Sequence, residues 1–89
     1  MKRSSIPHIS KPVSTDQLEL VKKIGRKVRE LRKQKNKNYK NFALEHNINK
    51  VTLLGIEHGK PYFFQSLLSV LNALDITPKD FFSLLDETK

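Results

Sequence analysis

Residues 38–60 read NYKNFALEHNINKVTLLGIEHGK, from Asn38 to Lys60, and this stretch decides the fold. Phe42 and Ala43 give a short first helix its buried side, and that helix ends near His46. Asn47 comes next, and Asn tolerates the left-handed backbone that a tight turn demands. Ile48 is placed to plug the corner, and Asn49 is a good N-cap for a second helix through Glu57. Gly59 closes that helix, as glycine commonly does. The spacing predicts helices over about 39–46 and 50–57, the second burying Leu53 and Ile56. Two helices joined by so short a turn must cross at a large angle.

Upstream, Ser14 and Gln17 have the S-x-x-Q form of a capping box, and Asp16 puts an acid in the first turn. Leu18, Val21, Ile24, Val28 and Leu31 then recur at spacings of 3, 3, 4 and 3, one face of a long helix. Lys22, Lys23, Arg26, Lys27, Arg29 and Lys33 sit off that face, and the helix frays into the polar run Gln34 to Asn38. Residues 1–13 hold two prolines, three serines and no periodicity, which reads as a flexible basic arm. Downstream, Pro61 breaks the chain and a fourth helix covers roughly Phe64 to Leu74, with Phe64, Leu67, Leu68, Leu71 and Leu74 inward. Thr77 then caps a fifth helix, Pro78 takes its first position and Asp80 favours its positive end. That helix uses Phe81, Phe82, Leu84 and Leu85. No stretch alternates strictly, so no strand is expected. The sequence predicts an all-α fold of five helices over residues 14–89 behind the arm.

Eighty-nine residues make one domain without room for a second core. There is no cysteine, which excludes disulfides and thiolate metal sites and suits a reducing, cytoplasmic setting. The basic N-terminus is not followed by the apolar run of a secretory signal, and nothing approaches a membrane span. The net charge of +8 is unevenly placed: +3 over residues 1–13, +6 over 14–37, +1 over 38–60 and −2 over 61–89. A base excess concentrated in the arm and first helix is what a polyanion-facing surface carries.

A tight two-helix corner of this kind is the helix-turn-helix geometry, whose second helix lies in the DNA major groove. The chain resembles the phage repressor/Cro family of helix-turn-helix domains, often called the Xre family, over about residues 24–83. The resemblance rests on Ile24-Gly25, Val28, Leu31-Arg32, Phe42-Ala43, Ile48-Asn49, Thr52, Ile56-Glu57 and Gly59-Lys60, closing with Ala73-Leu74 and Phe81-Phe82. It implies a lambda-repressor-like fold and a bacterial or phage transcription regulator, a repressor, acting as a homodimer on double-stranded DNA. It also implies that Arg32 pairs with Glu57 and fixes the reading helix to the body. The chain departs from the family's pattern at Tyr39, where Gln is common, and at Asn47, where Gly is usual. It departs again on the reading face, where Lys50, Val51, Thr52 and Gly55 stand in place of the usual polar readers.

By family position, Asn49, Lys50, Val51, Thr52 and Gly55 face the groove. Lys50 can donate to guanine or phosphate, and Val51 can meet a thymine methyl. Tyr39 and Lys40 sit where the family clamps one phosphate, and Lys60 where it holds another. Gly55 in mid-helix costs about 1 kcal/mol against Ala, so either close approach to DNA or a packing need should explain it. Tyr62, Phe63, Leu84 and Leu85 are possible dimer contacts, as is the start of the first helix at Leu18, Leu20 and Val21. Lys2 and Arg3 can enter a minor groove.

No enzyme constellation is present. There is no Gly-rich phosphate loop; His8 lies in the arm, and His46 and His58 have no third ligand at a useful spacing. No cofactor, metal or small-molecule ligand is implied. The rival reading is a protein-interaction module, such as an antitoxin, using the same fold to hold a toxin or other regulator.

Overall fold

The computed structural model describes residues 15–87, with side-chain surroundings for residues 17–86. The expected arm, Ser14 of the expected capping box, and Lys2 and Arg3 lie outside those residues. The described residues form five helices and no strand: α1 Thr15–Lys35, α2 Tyr39–Glu45, α3 Lys50–Glu57, α4 Phe64–Ala73 and α5 Pro78–Glu87.

Local chemistry sets the helix boundaries. Asn38 Oδ1 accepts from the Asn41 N–H at 3.1 Å and starts α2. Asn49 Oδ1 accepts from the Val51 and Thr52 N–H groups at 2.9 and 3.1 Å and starts α3. Thr77 Oγ1 accepts from the Asp80 N–H at 3.0 Å, just ahead of Pro78. Each cap satisfies N–H groups that the first helical turn leaves without a partner.

Three helices end the same way. Past α2, α3 and α4 the backbone turns left-handed at Asn47 (φ 56), Gly59 (φ 75) and Asp75 (φ 62). The residue after each donates back across the last turn: Ile48 to the Ala43 carbonyl at 2.8 Å, Lys60 to Gly55 at 2.8 Å and Ile76 to Leu71 at 3.1 Å. This is the Schellman closure, normally completed by an apolar contact from the residue after the left-handed one. Ile48 and Ile76 supply that contact by packing on the core, so Ile48 does plug the corner between α2 and α3.

The core takes Ile24 and Val28 from α1, Phe42 and Ala43 from α2, and Leu53 and Ile56 from α3. On the other side α4 and α5 contribute Leu67, Val70, Leu71, Leu74, Phe81 and Leu85. Five details differ from the sequence expectation, the first being Leu68, which is only half-buried and lies outside the core cluster. Phe64 is not inward but 60% exposed, because it opens α4 one turn before Leu67, the first residue of that helix to reach the core. Val70 fills the space instead, on one face with Leu67, Leu71 and Leu74. Leu18 follows the apolar period of α1 but is 47% exposed, in the stretch of the helix ahead of Ile24, its first residue in the core. Leu85, expected as a possible dimer contact, is buried in its own core.

Helix α1 meets α3 closely at Gly25. A Cβ there would stand 2.5 Å from the Ile56 carbonyl oxygen and 2.7 Å from that of Glu57, so only glycine lets the two backbones approach.

Candidate functional site

The site is built on α3, and its orientation begins with two residues far apart in the chain. Arg32, in the last turn of α1, donates through Nε to Glu57 Oε2 at 2.9 Å and through Nη2 to Oε1 at 2.8 Å. Both side chains are buried. Arg32 Nη1 also donates to the Asn36 and Lys37 carbonyls at 3.2 and 2.9 Å, tying down the α1–α2 connection. Two parallel N–H···O bonds fix an angle as well as a distance. Together with the Gly25 crossing, they hold the C-terminal half of α3 against α1.

With Leu53, Ile56 and Glu57 facing inward, the opposite side of α3 carries Val51, Gly55 and His58, at spacings of 4 and 3. Val51 is 71% exposed, and Lys50 and His58 are exposed as well. Sequence reasoning does not single out His58 for this face, although its spacing from Val51 and Gly55 is there to be read. Thr52 is half-buried and turns toward α4, sharing a shallow recess with Asn49, Ser66 and Ser69.

Gly55 has open space around it. A Cβ there would meet only the Lys60 Cβ, at an ordinary 3.7 Å, so nothing among the described residues requires a glycine. Of the two explanations expected from the sequence, a packing need is removed.

Lys40 and Lys50 border one hollow of about 300 Å³, together with Asn41, Leu44 and Ile48. Tyr39 is half-buried against the core, which leaves Lys40 as the freer of that pair. On the other side of α3, a cleft of about 360 Å³ lies between Val51, Gly55 and Thr52 and the segment Lys60-Pro61-Tyr62-Phe63, with Ser66 at its edge. The structure thus places Val51, Thr52, Gly55 and Lys60 along one opening, and Lys40 and Lys50 along another.

The possible dimer contacts separate. Tyr62 is half-buried against the core, and that burial pushes its hydroxyl above the ordinary tyrosine pKa. Leu84 is half-buried and Leu85 fully so. Phe63 alone of the four stands clear, at 83% exposed. His46 and His58 each cap the end of a helix, His46 with its ring 4.6 Å from that of Phe42. No helix among the described residues is long and apolar enough to cross a membrane.

Compared with protein-family models, curated proteins and solved structures, the chain matches none.

Proposed function

We propose that this chain is a sequence-specific double-stranded DNA-binding regulator, a repressor acting as a homodimer. In this reading the five helices form a lambda-repressor-like domain in which α2 and α3 are the helix-turn-helix and α3 lies in the major groove. The observation that carries it is the state of α3: its inner side is anchored by Arg32–Glu57 and the Gly25 crossing, and its outer side is exposed at Val51 and His58. Gly55 supports it further, because a helix-interior glycine whose missing side chain would meet only the Lys60 Cβ among the described residues fits close approach by another molecule's backbone.

Base recognition on this face is sparse. Val51 offers an apolar contact to a thymine methyl and Lys50 a donor to guanine, but neither Arg nor Gln projects from α3. Dimeric half-sites and DNA shape supply the remaining selectivity. The test is selection of bound fragments from sheared genomic DNA by purified protein at near-physiological salt. Enrichment of a short inverted repeat, with half-sites about one helical turn apart, is expected. Retention of all fragments alike sinks the proposal.

A second reading, a protein-binding module such as an antitoxin, has its own observation. Val51 and Phe63 line one cleft, both largely exposed, and exposed Phe64 follows directly in the chain. Apolar side chains gathered around an opening favour a protein partner.

A further inference from the structure

The outer side of α1 carries a line of positive charge that the fold does not use. Lys27 is held by Glu30 at 3.0 Å, Arg32 by Glu57 at 2.8 Å, and Lys35 lies 3.9 Å from Asp75. Lys22, Arg26, Arg29 and Lys33 are all exposed and have no acidic partner among the described residues. Their spacings are 4, 3 and 4. At 100° and 1.5 Å per residue, the four lie within about 60° of one line along the helix and span roughly 16 Å.

That line runs about 70° around α1 from Gly25, where α3 crosses, so it is a surface separate from the outer face of α3. Its first residue reaches the turn after α3, since a Cβ on Gly59 would come within 3.4 Å of Lys22 Cγ. Lys60 follows directly, its stem beside Gly55. Like charges three and four residues apart oppose helix formation, so folding gains nothing from this arrangement.

We propose that the stripe of Lys22, Arg26, Arg29 and Lys33 binds the sugar–phosphate backbone of duplex DNA without regard to sequence. It rests on the DNA-binding reading of α3 and adds a second contact beside it. The composition selects the occupant. A helix lying on a membrane needs a free apolar face along its length, and α1 spends Ile24 and Val28 on the core, leaving exposed leucines only at its start, Leu18 and Leu20. A protein interface centres on apolar and aromatic side chains, and single strands are held by aromatic platforms; the stripe contains neither. A row of cations in line on a rigid helix is what a phosphate backbone requires. The stripe also supplies charge that the α2–α3 segment lacks, since residues 38–60 carry a net charge of only +1.

The test replaces all four bases at once (Lys22→Gln, Arg26→Gln, Arg29→Gln, Lys33→Gln) and measures affinity for a random-sequence duplex as potassium chloride is raised. The slope of log affinity against log salt should become shallower by roughly 3 to 4, at about 0.9 for each phosphate that is no longer neutralised. The thermal midpoint should hold or rise, because repulsion along α1 is relieved. An unchanged slope and affinity in the folded variant overturns the proposal, as does wild-type binding to phosphatidylserine vesicles or polyglutamate as tight as to duplex DNA. A Lys50→Ala, Val51→Ala variant keeps the two readings apart. If it loses preference for the selected fragments while the stripe variant keeps the wild-type slope, the stripe proposal falls and the reading of α3 stands. If the stripe variant loses slope and the wild type prefers no sequence, the stripe stands and the reading of α3 falls.

Discussion

Gly25 and Gly55 are both helix-interior glycines, and their surroundings give one substitution opposite signs. Gly25→Ala drives a methyl into the Ile56 and Glu57 carbonyl oxygens, which are backbone and cannot turn aside. Its expected cost is about 1–3 kcal/mol, the range for overpacking a tight contact. Gly55→Ala meets only the Lys60 Cβ and should stabilise the protein by about 1 kcal/mol through helix propensity. Urea unfolding of the two variants checks both signs. If α3 seats against a duplex as proposed, Gly55→Ala should also weaken DNA binding while it strengthens the fold. At the Arg32–Glu57 pair, Glu57→Ala leaves a buried guanidinium with carbonyl partners only and should cost roughly 3–5 kcal/mol. The double variant Arg32→Met, Glu57→Leu should cost clearly less, since no buried charge is then left alone; equal losses by chemical denaturation would show the pair is not desolvated as described.

At the scale of elements, the α2–α3 corner is held by two asparagines with different tasks. Asn47 sits at φ 56, where a side chain with a Cβ is disfavoured. Asn47→Ala should therefore destabilise by about 1 kcal/mol, and Asn47→Gly should be neutral or better. Asn49 receives two N–H groups of α3, and Asn49→Ala should cost about 1 kcal/mol. Thermal unfolding of the three variants separates turn strain from capping, and Asn47→Gly as harmful as Asn47→Ala would refute the strain argument. These parts are legible in the sequence because the chemistry of a cap or a left-handed position lies within a few residues of chain. The third left-handed position, Asp75, is not: aspartate is also a common helix-start and surface residue, and only the bond from Ile76 to Leu71 reveals its task.

For the molecule as a whole, exposed apolar surface near α3 and α4 bears on assembly. Phe63 and Phe64 follow one another in the chain, and both remain largely exposed in the single chain. The proposed homodimer makes the thermal midpoint rise with protein concentration, because association stabilises the folded form by mass action. Phe63→Ser should flatten that dependence if the dimer closes on this patch, with sedimentation equilibrium as the direct check. A wild-type midpoint constant over a hundredfold range of concentration would remove the dimer from the reading.

Helix number, the α2 and α3 boundaries, and the capping roles of Asn49 and Thr77 were determined by the sequence alone, because periodicity and short-range hydrogen bonding suffice for them. The Arg32–Glu57 pairing came from family resemblance, since no local pattern links residues 25 positions apart. Tertiary structure decided which members of a correctly phased apolar face were covered. Phe64 and Leu18 are left exposed, whereas Val70 and Leu85 are buried in the core. It also separated the two glycines, because a glycine's purpose is set by what stands opposite its missing side chain, and that neighbour is distant in the chain for Gly25 and outside the chain, in the proposed reading, for Gly55.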